Sequence, residues 1–147
     1  MKKFSFNLEK VLSLRKYREQ ETEIQLGRAV GVLAEIENNI HFVTEERVRS
    51  GERFGGNSAA LCSYLLYANR LDIQKEQLKK DSILAEQKVD EARLIYIEAS
   101  RDRKVLDNLK DKREVEYKKL VLSEETKVLD DQAAGRQRAG GNTGRDK

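Results

Sequence analysis

The sequence predicts an all-α protein, a long two-helix antiparallel coiled-coil hairpin with an overhanging second helix. One observation is composition: charged residues fill 37% of the 147 positions, hydrophobic residues fill only 38%, and proline and tryptophan are absent. Proline breaks helices, so its absence favours long ones. A second observation is that apolar residues recur at alternating spacings of three and four on both sides of one glycine-rich segment. This spacing is typical of a coiled-coil seam, which buries a narrow stripe rather than a thick core.

The first helix is expected over residues 6–49. Followed towards the N-terminus, its seam meets Thr22, Glu19 and Arg15 before it regains Leu12. The helix is therefore expected to have two apolar halves that are separated by a polar stretch. The apolar seam residues of the second half are Leu26, Ala29, Leu33, Ile36, Ile40 and Val43.

The connection is expected at residues 50–58, which contain three glycines and interrupt the helical pattern. Asn57 or Ser58 is suited to cap the helix that follows. The second helix is expected over residues 59–130 and must run antiparallel to the first, because a short loop cannot return the chain to the same end. Its seam residues are Leu61, Tyr64, Ala68, Leu71, Leu78, Ala85, Val89, Ala92, Tyr96 and Ala99, and then Leu106, Tyr117 and Leu120.

The two helices are unequal in length. Counting back from the loop places Leu8 beside Ala99, so the stretch from Arg101 to Leu129 lacks an intramolecular partner. This overhang carries apolar side chains, and exposing them to water does not stabilise a lone helix. We therefore expect another protein to cover them. The coiled-coil domain is expected to span residues 1–131, and residues 132–147, rich in glycine and polar residues, are expected to be disordered.

No residue pattern indicates an enzyme, a metal site or a cofactor. His41 has no catalytic or metal-binding partner in a plausible pattern. The glycines of the loop lack the Lys-Ser or Lys-Thr of a phosphate loop. Cys62 is the only cysteine, which excludes an internal disulfide and favours an intracellular protein.

Charge and hydropathy also limit the classes of partner. Basic and acidic residues are interleaved at a net charge of +3, so we expect no binding to nucleic acid. Residues 1–14 are too polar for a signal peptide, and no apolar run approaches the roughly 18 residues that span a bilayer. Membrane contact is therefore expected only through partners. Basic residues are concentrated within residues 1–18 and 101–104, which favours an acidic surface as the partner.

Two outward faces are candidates for docking. Gly27 and Gly31 lie on the first helix opposite its seam. Either these small residues permit close approach by a partner helix, or they are flexible points that the helix tolerates. On the second helix Leu66 and Ile73 lie one heptad apart beside Tyr67, facing away from the seam. They form either a docking stripe or a seam widened by self-association.

The opening segment from Phe4 to Arg15 has the pattern Phe-x-Phe-x-Leu-Glu-x-Val-Leu-x-Leu-Arg. This pattern, followed by a glutamate-rich first helix and a long charged second helix, resembles the FliJ family of bacterial flagellar export proteins. The resemblance implies a non-enzymatic, cytoplasmic component at the cytoplasmic face of the inner membrane. It also implies three partners, which are the ring of the export ATPase, the cytoplasmic domain of the export gate, and export chaperones.

By this resemblance, the end that carries both termini inserts into the ATPase ring like the central stalk of a rotary ATP synthase. The residues assigned to ATPase binding are Leu8, Val11, Leu12, Arg15, Arg18, Leu106, Leu109 and Tyr117. The residues assigned to the gate or to chaperones, on exposure alone, are Gly27, Gly31, Leu66, Tyr67 and Ile73.

Two other classes of function stay open at this point. The chain is a structural or adaptor homodimer if the overhangs of two copies pair with each other. It is a tether if the basic end binds anionic lipid or nucleic acid, in which case binding would weaken steeply with salt.

Overall fold

A computed structural model describes residues 3–140, and within that range the chain is helical with no strand. Helix α1 spans Glu9–Phe54, a single 3₁₀ turn spans Ser58–Ala60, and helix α2 spans Leu61–Gly140. The two helices pack against each other, which confirms the all-α hairpin. The described residues divide into two compact units, which we call the terminal unit (residues 3–14 and 102–140) and the loop unit (residues 15–101).

The seam of α1 in the loop unit follows the predicted register. Val43 is buried, and the other five predicted apolar seam residues are half-buried. The polar break lies on the same stripe: Arg15 and Glu19 are half-buried and Thr22 is buried. The Thr22 hydroxyl donates a 2.8 Å hydrogen bond to the Glu19 carbonyl within the helix, so this buried polar group has a partner.

The loop is shorter than predicted because α1 continues through Gly51 and ends at Phe54. Glycine lowers helix stability without forbidding a helix, and packing of this last turn offsets that cost. The turn itself depends on Gly55 and Gly56, whose φ angles of +55° and +80° belong to the left-handed region that favours glycine. Asn57 then accepts a 3.1 Å hydrogen bond from the Ala59 amide, so it caps the 3₁₀ turn that leads into α2 rather than α2 itself.

The seam of α2 in the loop unit is also largely as predicted, with Ala68, Leu71 and Ala85 among its buried residues. Leu61 is the exception, because it is exposed at the first residue of the helix. In the terminal unit the buried stripe runs from Leu106 to Val121, and Leu120 is 65% exposed although the heptad count placed it on the seam. An α-helix has 3.6 residues per turn rather than 3.5, so the buried stripe drifts away from a strict heptad count.

The unpartnered part of α2 starts later than predicted. In the terminal unit, residues 4–12 cover α2 from Leu106 to Tyr117, and continuous exposure begins only after Val121. The reason is local geometry: residues ahead of Glu9 are not helical, and an extended chain rises about 3.3 Å per residue against about 1.5 Å in a helix. A few residues therefore cover several turns of α2.

The end of α2 also lies further along the chain than predicted. The helix continues to Gly140 instead of ending near residue 130, so residues 132–140 are helical where disorder was expected. All of them are exposed, and alanine at positions 133, 134 and 139 gives this segment favourable helix propensity. The rest of the expected disordered tail, residues 141–147, lies outside the described residues.

Candidate interaction surfaces

The predicted ATPase-binding residues of the terminal unit lie around a small hydrophobic core. Phe6, Leu12 and Leu106 are buried together, and Phe4, Leu8 and Leu109 pack against them. Leu12 is the most deeply buried, with 1% of its surface exposed. Burying a large apolar side chain contributes about 1.5–3 kcal/mol. This cluster is therefore what holds the N-terminal residues on α2.

Aromatic and charged contacts extend this core along α2. The rings of Phe4 and Tyr117 lie 5.5 Å apart at an interplanar angle of 45°, and the Arg113 guanidinium lies 6.0 Å from the centre of the Phe6 ring. Cations are attracted to the faces of aromatic rings at such distances.

An ion pair joins the first residue of α1 to α2 in the same unit. The Lys110 ammonium lies 2.9 Å from a Glu9 carboxylate oxygen. The hydrogen bond with Glu9 raises the pKa of Lys110, and the negative charge of Glu9 adds to the shift. The pair is largely solvated, so it orients the segment more than it stabilises it.

The structure places the eight predicted ATPase-binding residues in three environments. Leu12 and Leu106 are buried. Leu8 is half-buried within the N-terminal segment, and Leu109 and Tyr117 are half-buried on α2 where that segment packs. Val11 is exposed on the first turn of α1. In the loop unit, Arg15 is half-buried on the seam and Arg18 is exposed.

The last part of α2 in the terminal unit carries apolar side chains that no described residue covers. Residues 122–140 are all exposed, and exposed apolar residues continue upstream of them. Large apolar side chains grouped on one stretch of helix are typical of a protein interaction surface. We call this set the exposed end of α2; its large apolar members are Val115, Leu120, Leu122, Val128 and Leu129.

In the loop unit, the tip is fixed by an aromatic and ionic cluster. The rings of Phe54 and Tyr64 stack with centroids 4.6 Å apart and an interplanar angle of 11°. Arg47 donates to the Tyr64 hydroxyl at 2.8 Å and to Asp72 at 3.2 Å. The bond to Tyr64 raises the pKa of Arg47. Through its contacts with Tyr64 and Asp72, the guanidinium joins α1 to α2.

Tyr67, one of the predicted gate or chaperone residues, belongs to a second contact at this tip. Its hydroxyl donates a 3.1 Å hydrogen bond to Glu46, and Arg53 lies 3.5 Å from the same carboxylate oxygen. Burial raises the pKa of Tyr67, and the hydrogen bond to Glu46 raises it further. Tyr67 thus has its hydroxyl tied to α1, while 41% of its surface is exposed.

The predicted gate or chaperone residues form two separate surfaces. Leu66 and Ile73 are 68% and 63% exposed on α2 close to the loop, beside Tyr67. Gly27 and Gly31 are exposed on α1, and a Cβ at either glycine would meet no heavy atom within 4 Å. Tyr67 contacts Glu46, which lies about four helical turns from Gly31, so one small docking site does not contain both sets.

Chemistry other than protein binding has little support within residues 3–140. No group of three potential metal ligands is found there. The His41 imidazole is exposed and lies 3.1 Å from Glu45 one turn away, and Cys62 is exposed. Neither long helix contains a stretch apolar enough to cross a membrane, in the same range.

A comparison with protein families decides which family this fold represents. The family model described as "Flagellar FliJ protein" matches residues 4–141, almost the whole chain. The chain belongs to the FliJ family. No curated protein and no solved structure gives a significant match to it.

Membership of the FliJ family associates this protein with flagellar protein export. It confirms the resemblance drawn from the N-terminal motif. In this FliJ-family chain the motif has a visible structural role: Phe4, Phe6 and Leu8 supply the side chains that pack on α2, and Glu9 supplies the ion pair with Lys110.

Sequence reasoning did not identify Phe4 and Phe6 as members of the terminal core. The signal was present, because alternate residues of an extended segment point to the same side. Phe4, Phe6 and Leu8 follow that period of two immediately before the helical pattern starts. The prediction of helix from residue 6 concealed it.

Proposed function

We propose that this FliJ-family protein is a non-enzymatic component of the flagellar export apparatus that binds the export ATPase ring. The family match over residues 4–141 carries the proposal. In this proposal the protein acts at the cytoplasmic face of the inner membrane and links the ATPase to the export gate and to export chaperones. It reaches the membrane through these partners and hydrolyses no nucleotide itself.

The structure supports the terminal unit as the ATPase-binding part. Leu12 and Leu106 have almost no accessible surface while the N-terminal segment lies on α2, so in this arrangement they support the surface rather than form it. Val11 and the exposed end of α2 are accessible, and Leu122 and Leu129 lie one heptad apart on one stripe. Apolar side chains spaced by a heptad suit packing against a helix or into an apolar groove.

The test is a coupled ATPase measurement with the purified export ATPase. We expect the wild-type chain to raise the rate of ATP hydrolysis by the ring and to hydrolyse no ATP alone. Absence of stimulation at any concentration would contradict the proposal.

The double substitution Leu122→Asp with Leu129→Asp tests the surface. These residues are exposed, so helicity should be unchanged, while the concentration for half-maximal stimulation should rise by at least roughly tenfold. The matched control is Ile24→Asp, an equally exposed apolar position in the loop unit, for which stimulation should be unchanged. Equal effects of the two variants would exclude the exposed end of α2 as the binding surface.

Self-association is a second candidate function, favoured by the same exposed apolar residues. In that case two copies cover each other's α2 ends and the protein acts as a structural or adaptor homodimer. Multi-angle light scattering distinguishes the candidates, because the 16.9 kDa chain would then have twice that mass at micromolar concentration. A monomer mass together with ATPase stimulation supports the leading proposal.

A further inference from the structure

Residues 4–8 form a short segment, which we call the strap, that lies on α2 in the terminal unit. Its backbone is not helical, and α1 begins only at Glu9. Within residues 3–140, no backbone–backbone hydrogen bond joins the strap to α2. The backbone bonds that it does make run to the first turn of α1, from the Glu9 amide to Phe6 and from the Leu12 amide to Leu8. Side chains are therefore its main attachment to α2.

Those attachments are few and lie near the surface. Phe6 is the only buried strap residue, whereas Phe4 and Leu8 are half-buried. Such a segment, with few buried apolar contacts and no ladder of backbone bonds, belongs to the parts of a fold that open locally at low cost.

Helix α2 does not need the strap to remain a helix. Its backbone hydrogen bonds are internal and continuous from Leu61 to Gly140. Removal of the strap would uncover part of Leu106, Leu109 and Tyr117, on the same unit that carries the exposed end of α2, while Leu12 of α1 would still pack in the cluster with Leu106. The apolar surface would then continue along one side of α2 from Leu106 through Leu120 to Val128.

We propose that the strap is a detachable cover that regulates access to the ATPase-binding surface. In the closed state the strap covers part of Leu106, Leu109 and Tyr117; in the open state these surfaces can contact the export ATPase. The ATPase stabilises the open state because only that state offers the full apolar surface. This inference rests on the proposed function for the identity of the partner, but strap opening is a property of the chain alone.

Opening is measured first in the isolated protein by thiol labelling. In a Cys62→Ser background, Leu109→Cys places a thiol under the strap and Val105→Cys places one at an exposed site of the same helix. We expect the thiol of the Leu109→Cys variant to react roughly tenfold more slowly than that of the Val105→Cys variant. Adding Phe4→Ala and Phe6→Ala should remove most of that protection and leave the Val105→Cys variant unchanged. Equal protection with and without the two phenylalanines would overturn the proposal.

The second experiment locks the strap and leaves helix α2 intact. Phe4→Cys with Tyr117→Cys, again with Cys62→Ser, is joined by a short bis-maleimide cross-linker, since the two rings are neighbours. The matched control is the same protein capped with a monofunctional maleimide, which modifies both thiols but leaves the strap free. Circular dichroism establishes that both forms are folded.

The cross-linked and the capped protein are then compared for their stimulation of the export ATPase. If the strap must open, the cross-linked form requires at least roughly tenfold more protein for half-maximal stimulation than the capped form. Equal stimulation by both forms would overturn the strap proposal and leave the proposed function standing. If the wild-type chain gives no stimulation, the proposed function fails, and the thiol-labelling rates alone support or overturn strap opening.

Discussion

At the scale of single residues, Gly27 and Gly31 are helical glycines with no internal reason to be glycine. A Cβ at either position would point into open space, and nothing in the fold requires a close approach there. Gly51 is different, because a Cβ there would lie 3.3 Å from the Tyr64 hydroxyl oxygen, which Arg47 holds in place. A glycine that lowers helix stability without an internal role is a candidate for external contact.

Replacement of Gly31 by alanine should therefore stabilise the isolated protein. Alanine favours the helix over glycine by about 1 kcal/mol, and no steric cost opposes that gain. The urea midpoint, followed by far-UV circular dichroism, should rise. Gly51→Ala is the control and should gain less, because the new methyl group displaces Tyr64. If Gly31 serves a partner helix, Gly31→Ala should weaken gate or chaperone binding despite the higher stability.

Tyr67 gives a pH-dependent signal of the contact between the helices at the loop. Burial and then the hydrogen bond to Glu46 raise its pKa above the ordinary value of 10.0. Because folding raises this pKa, the contribution to stability is present below pH 10.0 and is lost as the pH rises through the folded pKa.

The difference in ultraviolet absorbance between the wild-type protein and Tyr67→Phe during alkaline titration should show Tyr67 ionising above pH 10.0. The variant Glu46→Ala should move this ionisation towards the ordinary value without reaching it, because burial is the larger cause. An unchanged titration in Glu46→Ala would contradict the hydrogen bond.

At the scale of helices, the seams of the loop unit were predictable because the heptad spacing determines which side of a helix is buried. The same count located Thr22 on the seam although it is polar. Helix ends were less predictable: α1 continues through Gly51, where packing outweighs propensity. The period of two in Phe4, Phe6 and Leu8 marks the strap as non-helical, but its partner on α2 lies about a hundred positions away, which a local pattern does not contain.

The candidate site was predictable only in part for a related physical reason. Spacing identified Leu66 and Ile73 as exposed, and they are exposed. Spacing alone did not show that Leu106 is buried, because that depends on what the N-terminal segment does. Exposure on a helix follows from its own sequence, whereas cover by a distant segment does not.

Drift of the α2 seam in the terminal unit yields a prediction at this scale. Leu120 is exposed and Val121 is half-buried, the reverse of the heptad count. Val121→Asp should destabilise this part of the unit by about 1 kcal/mol, through loss of apolar burial. Leu120→Asp should change stability by less than about 0.5 kcal/mol. Hydrogen–deuterium exchange of residues 110–121 measures the stability change in each variant. Faster exchange in Leu120→Asp than in Val121→Asp would show that Leu120, as the heptad count predicts, is the seam residue.

At the scale of the whole molecule, the chain carries its candidate interaction surfaces in different units. The terminal unit has the strap and the exposed end of α2, while the loop unit has Leu66, Tyr67 and Ile73 beside the stacked rings of the tip. Surfaces in separate units allow one partner to bind without displacing another. The proposed link between an ATPase and a gate requires this separation, so substitutions should divide into two functional classes.

The loop-unit class is tested by Leu66→Asp with Ile73→Asp. Both side chains face solvent, so the variant should retain its helicity, its urea midpoint and its stimulation of the ATPase. Binding to the cytoplasmic domain of the export gate, measured by isothermal titration calorimetry, should weaken by roughly tenfold or more.

Leu94→Asp is the matched control for that experiment. Leu94 lies on the same outer stripe of α2, three heptads from Ile73, and is exposed to the same extent as Leu66. It adds one negative charge, against two in the double variant, on the same helix but far from the loop in sequence, so gate binding should be unchanged. If Leu94→Asp weakens gate binding as much as the double variant, the effect comes from negative charge on α2 and the surface at the loop is not specific. If only the double variant loses gate binding while ATPase stimulation stays normal, the two partners use the two units independently.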